Sequence, residues 1–159
     1  MQIHATCCAR DRADGPAGVL LLGPPGSGKS DLALRLIESG FRLVADDRVD
    51  IETTPEGAFA SAPAALAGLI EVRGIGILRL GDTVSRARLR LAVTLTPRAS
   101  QERLPEPAES VLAGHSVPTI MIDPEAPSAV ARIRLALDVL EGRAASRCGA
   151  LGVTPAVSP

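Results

Sequence analysis

Aromatic residues are almost missing from this chain. Its 159 residues include no tryptophan, no tyrosine and two phenylalanines, Phe41 and Phe59. Any core must therefore be aliphatic, and the 46% of apolar residues supplies enough Leu, Val, Ile and Ala to fill one. The same scarcity removes the stacking platforms that hold single-stranded nucleic acid. A net charge of −1 removes the electrostatic attraction as well, so no nucleic-acid partner is expected. Cys7, Cys8 and Cys148 are odd in number and offer no C-x-x-C pair and no Cys/His ligand spacing. That excludes a disulfide framework and a zinc site. No apolar run approaches the roughly 18 residues of a membrane span. The first residues lack the basic-then-apolar pattern of a secretion signal. These absences describe a soluble, cytoplasmic chain with no membrane partner, and the length suits one domain.

Lysine is scarce as well. Lys29 is the single lysine; the other sixteen basic residues are arginines. A GC-rich coding preference explains the arginines but not the survivor, which points to a position where only a compact ammonium works. Lys29 stands in Gly23-Pro24-Pro25-Gly26-Ser27-Gly28-Lys29-Ser30, after the apolar run Val19–Leu22 and before a segment with helical periodicity. This is the strand–loop–helix setting of a phosphate-binding loop, G-x-x-x-x-G-K-[ST]. Its glycines let successive backbone N–H groups turn inward toward phosphate oxygens. The helix that follows adds its unpaired N–H groups and the positive end of its dipole. Lys29 would bring its charge to the β- and γ-phosphates, and the Ser30 hydroxyl would ligate Mg²⁺.

The remaining pattern describes an α/β domain with a mixed sheet. Residues 2–9 and 18–22 flank a turn at 11–16 and suit a hairpin. Leu32, Ala33, Leu36 and Ile37 form a helical stripe over 30–39, stopped by Gly40. Residues 41–45 read as a strand, which completes a strand–helix–strand unit. A hairpin is expected over 49–60, a short turn or helix over 62–68, one glycine-interrupted strand over 69–80 and a further strand over 88–95. Residues 97–109 read as a loop and 117–122 as a strand. A last helix starts at a Ser128 cap and ends at Gly142. The domain is thus placed at 1–142, and 143–159 is expected to be a disordered tail.

Asp46 and Asp47 end the strand after the phosphate-loop helix, and that end of a parallel sheet faces the same crevice as the loop. One of the pair can serve as a base toward a hydroxyl, or the pair can close the strand and hold Mg²⁺ through water. Glu71 and Arg73 are two apart on an expected strand and would share a face. There they would offer a metal ligand and a guanidinium, or merely a surface ion pair.

Three blocks together, Gly23–Ser30, Leu43-Val44-Ala45-Asp46-Asp47 and Glu71-Val72-Arg73-Gly74-Ile75-Gly76-Ile77, resemble the kinase domain of the HPr kinase/phosphorylase family. The likeness runs over about residues 2–95, and the chain is similar to short forms that lack an N-terminal domain. The resemblance implies a P-loop kinase that uses ATP and Mg²⁺ to phosphorylate a serine of HPr, the phosphocarrier of the sugar phosphotransferase system. It implies a homo-oligomer, a hexamer in the family. It makes His4, Lys29, Asp47 and Arg103 catalytic, with Asp47 accepting the serine proton, and gives Ser30 and Glu71 to Mg²⁺. Where the family has a basic P-V-x-P-G-R-N block tied to the reverse, phosphorolytic reaction, this chain has Met121–Ser128, without a basic residue or glycine. Weak phosphorolysis and an altered oligomer contact are therefore expected. The residues leave two other readings: a small-molecule kinase with Arg98 and Arg103 as clamps, and a non-catalytic nucleotide sensor that binds a protein through its last helix.

Overall fold

The computed structural model describes residues 1–157. Strand β1 (Gln2–His4) is short and exposed and pairs with residues 48–50 rather than joining the hairpin expected over 2–9 and 18–22, which β2 (Thr6–Arg10), buried and antiparallel to β3 (Ala17–Leu22), forms alone. Helix α1 (Lys29–Glu38) follows the phosphate loop and buries Leu32, Ala33 and Leu36. Next come β4 (Arg42–Ala45) and the hairpin β5 (Arg48–Thr54) with β6 (Gly57–Ser61). A 3-10 turn at Ala64–Leu66 leads into β7 (Leu69–Val72) and β8 (Gly76–Arg79). The chain closes with β9 (Ala87–Leu95), β10 (Ala108–Leu112), β11 (His115–Ile122) and α2 (Ala129–Leu140).

Among the described residues, nine strands form one mixed sheet in the order β1-β5-β6-β9-β3-β2-β4, with β11 beside β9 and β10 beyond it. Strands β3, β9 and β11 run parallel, so their carboxyl ends, and the loops that follow, share one edge. The period-2 alternation of side chains splits the core into two layers. Val19, Leu21, Leu91 and Val93 face α1 and α2, together with Ile133 and Leu137. Leu20, Leu89 and Ala92 face the other way, toward Val49, Ile51, Ala58 and Ala60. The second layer is rich in alanine, which lets the sheet curl closely onto itself without aromatic filler.

Four local expectations change. Residues 69–80 are a hairpin, not one strand: the chain reverses at Arg73-Gly74-Ile75, with φ +86° at Gly74 and +129° at Gly76. Arg73 thus sits in the turn and shares no strand face with Glu71. Strand β10 begins at Ala108, inside the loop expected over 97–109, and runs on to Leu112, joined to β11 by an Ala113-Gly114 turn with both φ positive. Ser128 does begin α2, but its hydroxyl accepts from Arg132 Nε at 2.8 Å and caps no backbone N–H. Strands β3 and β4 are not neighbours, because β2 lies between them, antiparallel to both. Residues 143–157 hold no helix or strand. Ala150 and Leu151 nevertheless pack on the helix-side core, and Ser146 N donates to Thr154 Oγ1 at 2.6 Å. The last two residues of the expected tail, 158 and 159, lie outside the described residues.

Cys7 and Cys8 are fully buried. Burial pushes the Cys7 thiol up from 9.0 to about 12, and raises Cys8 well above its ordinary value. Unfolded thiols lose their protons first, so stability is complete below about pH 9 and falls as pH rises toward the folded values. The slope should be about 1.4 kcal/mol per pH unit for each thiol. Tyrosine is absent and lysine single, so few other groups titrate in this window. Urea melts at pH 8 and 10.5 should show this loss, and a Cys7→Ala/Cys8→Ala protein should lose most of the slope.

Candidate active site

The phosphate loop is shaped by close approach at one end and a left-handed residue at the other. A Cβ on Gly23 would lie 2.5 Å from Ser27 Oγ, so no side chain fits there. Gly28 holds φ +100° at the start of α1, where no side chain caps the helix. The first N–H groups of α1 are thus left for an anion. Lys29 folds back over the loop, its Nζ donating to Gly23 O at 2.7 Å and Pro24 O at 3.0 Å. Ser27 Oγ is buried with no hydrogen-bond partner.

Across from the loop, the two aspartates have different environments. Asp46 is 6% exposed. Its Oδ1 accepts from Ser30 Oγ at 2.8 Å and Thr6 Oγ1 at 2.9 Å, and its Oδ2 from Glu71 N at 3.3 Å. Asp47 is exposed and holds φ +67°, a left-handed conformation that is costly for a residue with a Cβ. Its carbonyl accepts from Ala5 N at 3.3 Å, which sets His4, the exposed last residue of β1, beside the same corner.

Lys29, Ser30, Asp46 and Glu71 therefore come together, with Asp47 and His4 adjoining. Arg73 is exposed in the β7–β8 turn. Arg103 is exposed in the stretch after the 3-10 turn Arg98–Ser100 and does not line the cleft beside the loop, whereas Arg98 does. Thr6 escaped the sequence reading; its signal was a hydroxyl opening the otherwise apolar, buried run Thr6-Cys7-Cys8-Ala9.

The donors available to a metal are the Ser30 hydroxyl and the carboxylates of Asp46, Asp47 and Glu71. All are hard oxygen ligands of the kind Mg²⁺ takes. No group of three or more His, Cys, Asp or Glu forms a ready cage among the described residues. Mg²⁺ suits such a half-built site, because it keeps waters and phosphate oxygens in its shell.

The model of the HPr Serine kinase C-terminal domain matches residues 15–133, which include the loop, both aspartates and Glu71. The chain belongs to that family. Similar HPr kinase/phosphorylases include that of Polaromonas sp., 40% identical over 124 residues, covering 69% of this chain and 38% of the relative. That of Xanthomonas campestris pv. campestris is 39% identical over 133 residues, covering 79% and 40%. The chain thus spans about two fifths of the length of these relatives. The solved structure of the Hpr(Ser) kinase/phosphatase from Coxiella burnetii superposes with a TM-score of 0.72 at 26% identity, covering 90% of this chain and 96% of that one. The P-loop kinase fold of the HPr kinase domain is therefore that of this chain. No helix among the described residues is long and apolar enough to cross a membrane.

The two aspartates should separate in stability measurements. Asp46→Ala strands the buried Thr6 hydroxyl, the part-buried Ser30 hydroxyl and an N–H, and should cost about 1–3 kcal/mol. Asp47→Gly relieves a left-handed residue and should leave stability unchanged or raise it by up to about 1 kcal/mol. Urea midpoints of the two variants check the contrast.

Proposed function

We propose that the chain is an ATP-dependent serine kinase acting on an HPr-type phosphocarrier, working in the cytoplasm. The observation that carries this is the pairing of a buried, fully engaged Asp46 with an exposed, strained Asp47 at the same corner as the phosphate loop. A buried carboxylate bonded to Ser30 organises the site, and an exposed neighbour is free to meet an incoming hydroxyl. The family membership and the relatives named above support the same substrate class.

In this reading the N–H groups of the loop and Lys29 hold the nucleotide's phosphates. Ser30 and Glu71, with Asp46 behind, would hold Mg²⁺, which supplies charge neutralisation on the phosphates when bound. Asp47 accepts the proton of the target serine, and the serine oxygen attacks the γ-phosphorus as the bond to ADP breaks. His4 sits where it can orient or exchange that proton. Arg103 stands away from the cleft, and a role for it requires the loop 101–107 to move toward the phosphates. Arg73 can meet the partner protein from the hairpin turn. A homo-oligomer remains part of this proposal. The domain proper is 1–142, with Ala150 and Leu151 of the following stretch packed on it.

Phosphorolysis should be weak. Asp123 and Glu125 line the cleft beside the loop, where carboxylates repel free phosphate. A small-molecule acceptor is the second reading, because Arg98 does line that cleft. Incubation with labelled ATP and HPr separates the readings: label on a serine of HPr is expected.

Asp47→Asn should keep ATP binding and cut transfer by about 10²–10⁴-fold. Lys29→Ala should weaken both. Near-normal turnover by Asp47→Asn would remove the base from Asp47. Phosphate-driven loss of label from phospho-HPr should lag far behind forward labelling.

A further inference from the structure

Thr6 opens the run Thr6-Cys7-Cys8-Ala9 and has no exposed surface at all. Alternation along β2 turns Thr6 and Cys8 toward α1, where Cys8 Sγ approaches Ala33 O at 3.9 Å, while Cys7 and Ala9 face the other core layer. A valine would fill the same space with no hydroxyl to take out of water, and an unbonded buried hydroxyl is costly. The hydroxyl is bonded to the one buried aspartate of the site: Thr6 Oγ1 donates to Asp46 Oδ1 at 2.9 Å. Ser30 Oγ donates to the same oxygen at 2.8 Å, and Glu71 N donates to Oδ2 at 3.3 Å. An ionised carboxylate only accepts, so the Ser30 proton is committed to Asp46 and the Ser30 lone pairs are left free. The bonds from Ser30 and Glu71 N define a line about which the carboxylate can still turn. The bond from Thr6 stops that turn.

We propose that Thr6 is a positioning residue for Mg²⁺. It pins the Asp46 carboxylate, and the pinned carboxylate holds the Ser30 hydroxyl as a donor whose oxygen is ready to meet the cation. The inference rests on the Mg²⁺-nucleotide reading given above. Having no exposed surface, Thr6 touches neither cation nor nucleotide, and it acts through Asp46 and Ser30 alone. Its place in the sheet suits this role. Strand β2 is hydrogen-bonded both to β3, which leads into the phosphate loop, and to β4, which ends at Asp46, so a side chain there reaches both. A Ser30 side chain released from a fixed acceptor spreads over its staggered rotamers, and the cation must then select one of them. Groups one layer behind a metal's ligands set the orientation of those ligands, and losing one typically costs about 10–100-fold in metal affinity.

Calorimetric binding of ADP to the full chain, once with Mg²⁺ and once with EDTA, gives the factor by which the cation tightens the nucleotide. Thr6→Val removes the hydroxyl and keeps the shape. It should lower that factor by about tenfold or more, with the metal-free affinity held within about twofold. Thr6→Ser restores the donor and should keep the factor close to that of the unsubstituted protein. An undiminished factor in Thr6→Val, or an equal loss in Thr6→Ser, overturns the proposal, because the side chain then only fills space. If Mg²⁺ does not tighten ADP on the unsubstituted protein, the metal reading itself falls, and the inference with it. Threonine-methyl NMR of the unsubstituted ADP complex needs no variant. Addition of Mg²⁺ should shift the Thr6 methyl signal, and an unmoved signal overturns the proposal.

Discussion

The buried carboxylate of Asp46 is the constraint on which the rest of the site depends. A carboxylate taken out of water must have its oxygens satisfied by donors, or the cost is several kcal/mol. Its donors come from three separate elements: Ser30 on α1, Thr6 on β2 and the Glu71 N–H on β7. No two of these segments are close in sequence. Satisfying one buried charge therefore ties the phosphate-loop helix, the central antiparallel strand and the β7–β8 hairpin to one point. The hairpin belongs to a separate two-stranded sheet, and this bond is one of its ties to the main body.

Strand order gives that tie its reach. Because β2 intervenes, the acidic end of β4 stands two strand spacings from β3, on the order of 10 Å. A directly adjacent strand would bring the carboxylates about half as far from the loop. Thr6 occupies the intervening strand at the same level and bonds Asp46 from below. Its burial is what keeps a strand inserted in that gap from leaving Asp46 without a donor.

The sequence carried the phosphate loop, α1, α2, the first two hairpins and the central strands legibly, because each has a strong period bounded by glycine or proline. The pair Asp46-Asp47 was also legible as a pair, but not its division. Which residue turns inward depends on where the last paired residue of β4 falls, and that is set by tertiary bonding to Thr6 and Ser30. Residues 69–80 failed for a local reason. Ile70, Val72, Ile75 and Ile77 look like one apolar strand, yet Ile75 and Ile77 are 71% and 72% exposed. Two glycines with positive φ reverse the chain between them, and periodicity is blind to a reversal. Strand β10 was hidden because Glu109 and Ser110 are polar on an edge with little to bury. The cleft walls were illegible in principle, since Leu95–Arg98 and Asp123–Glu125 meet only through parallel pairing of β9 with β11.

The survival of a single lysine in an arginine-rich chain has a geometric reason in the loop. Lys29 Nζ is enclosed by two consecutive carbonyls, Gly23 O and Pro24 O. A guanidinium is a flat fork with five donors, wider than this turn of backbone. It would have to stand outside the loop. The ammonium is compact enough to rest inside and exchange those carbonyls for phosphate oxygens. On meeting a phosphate it would give up two hydrogen bonds to neutral acceptors for bonds to charged ones, which are roughly twice as strong. The loop thus stores its cation in a satisfied state at a modest cost, and the gain on meeting an anion comes from the difference between the two sets of partners.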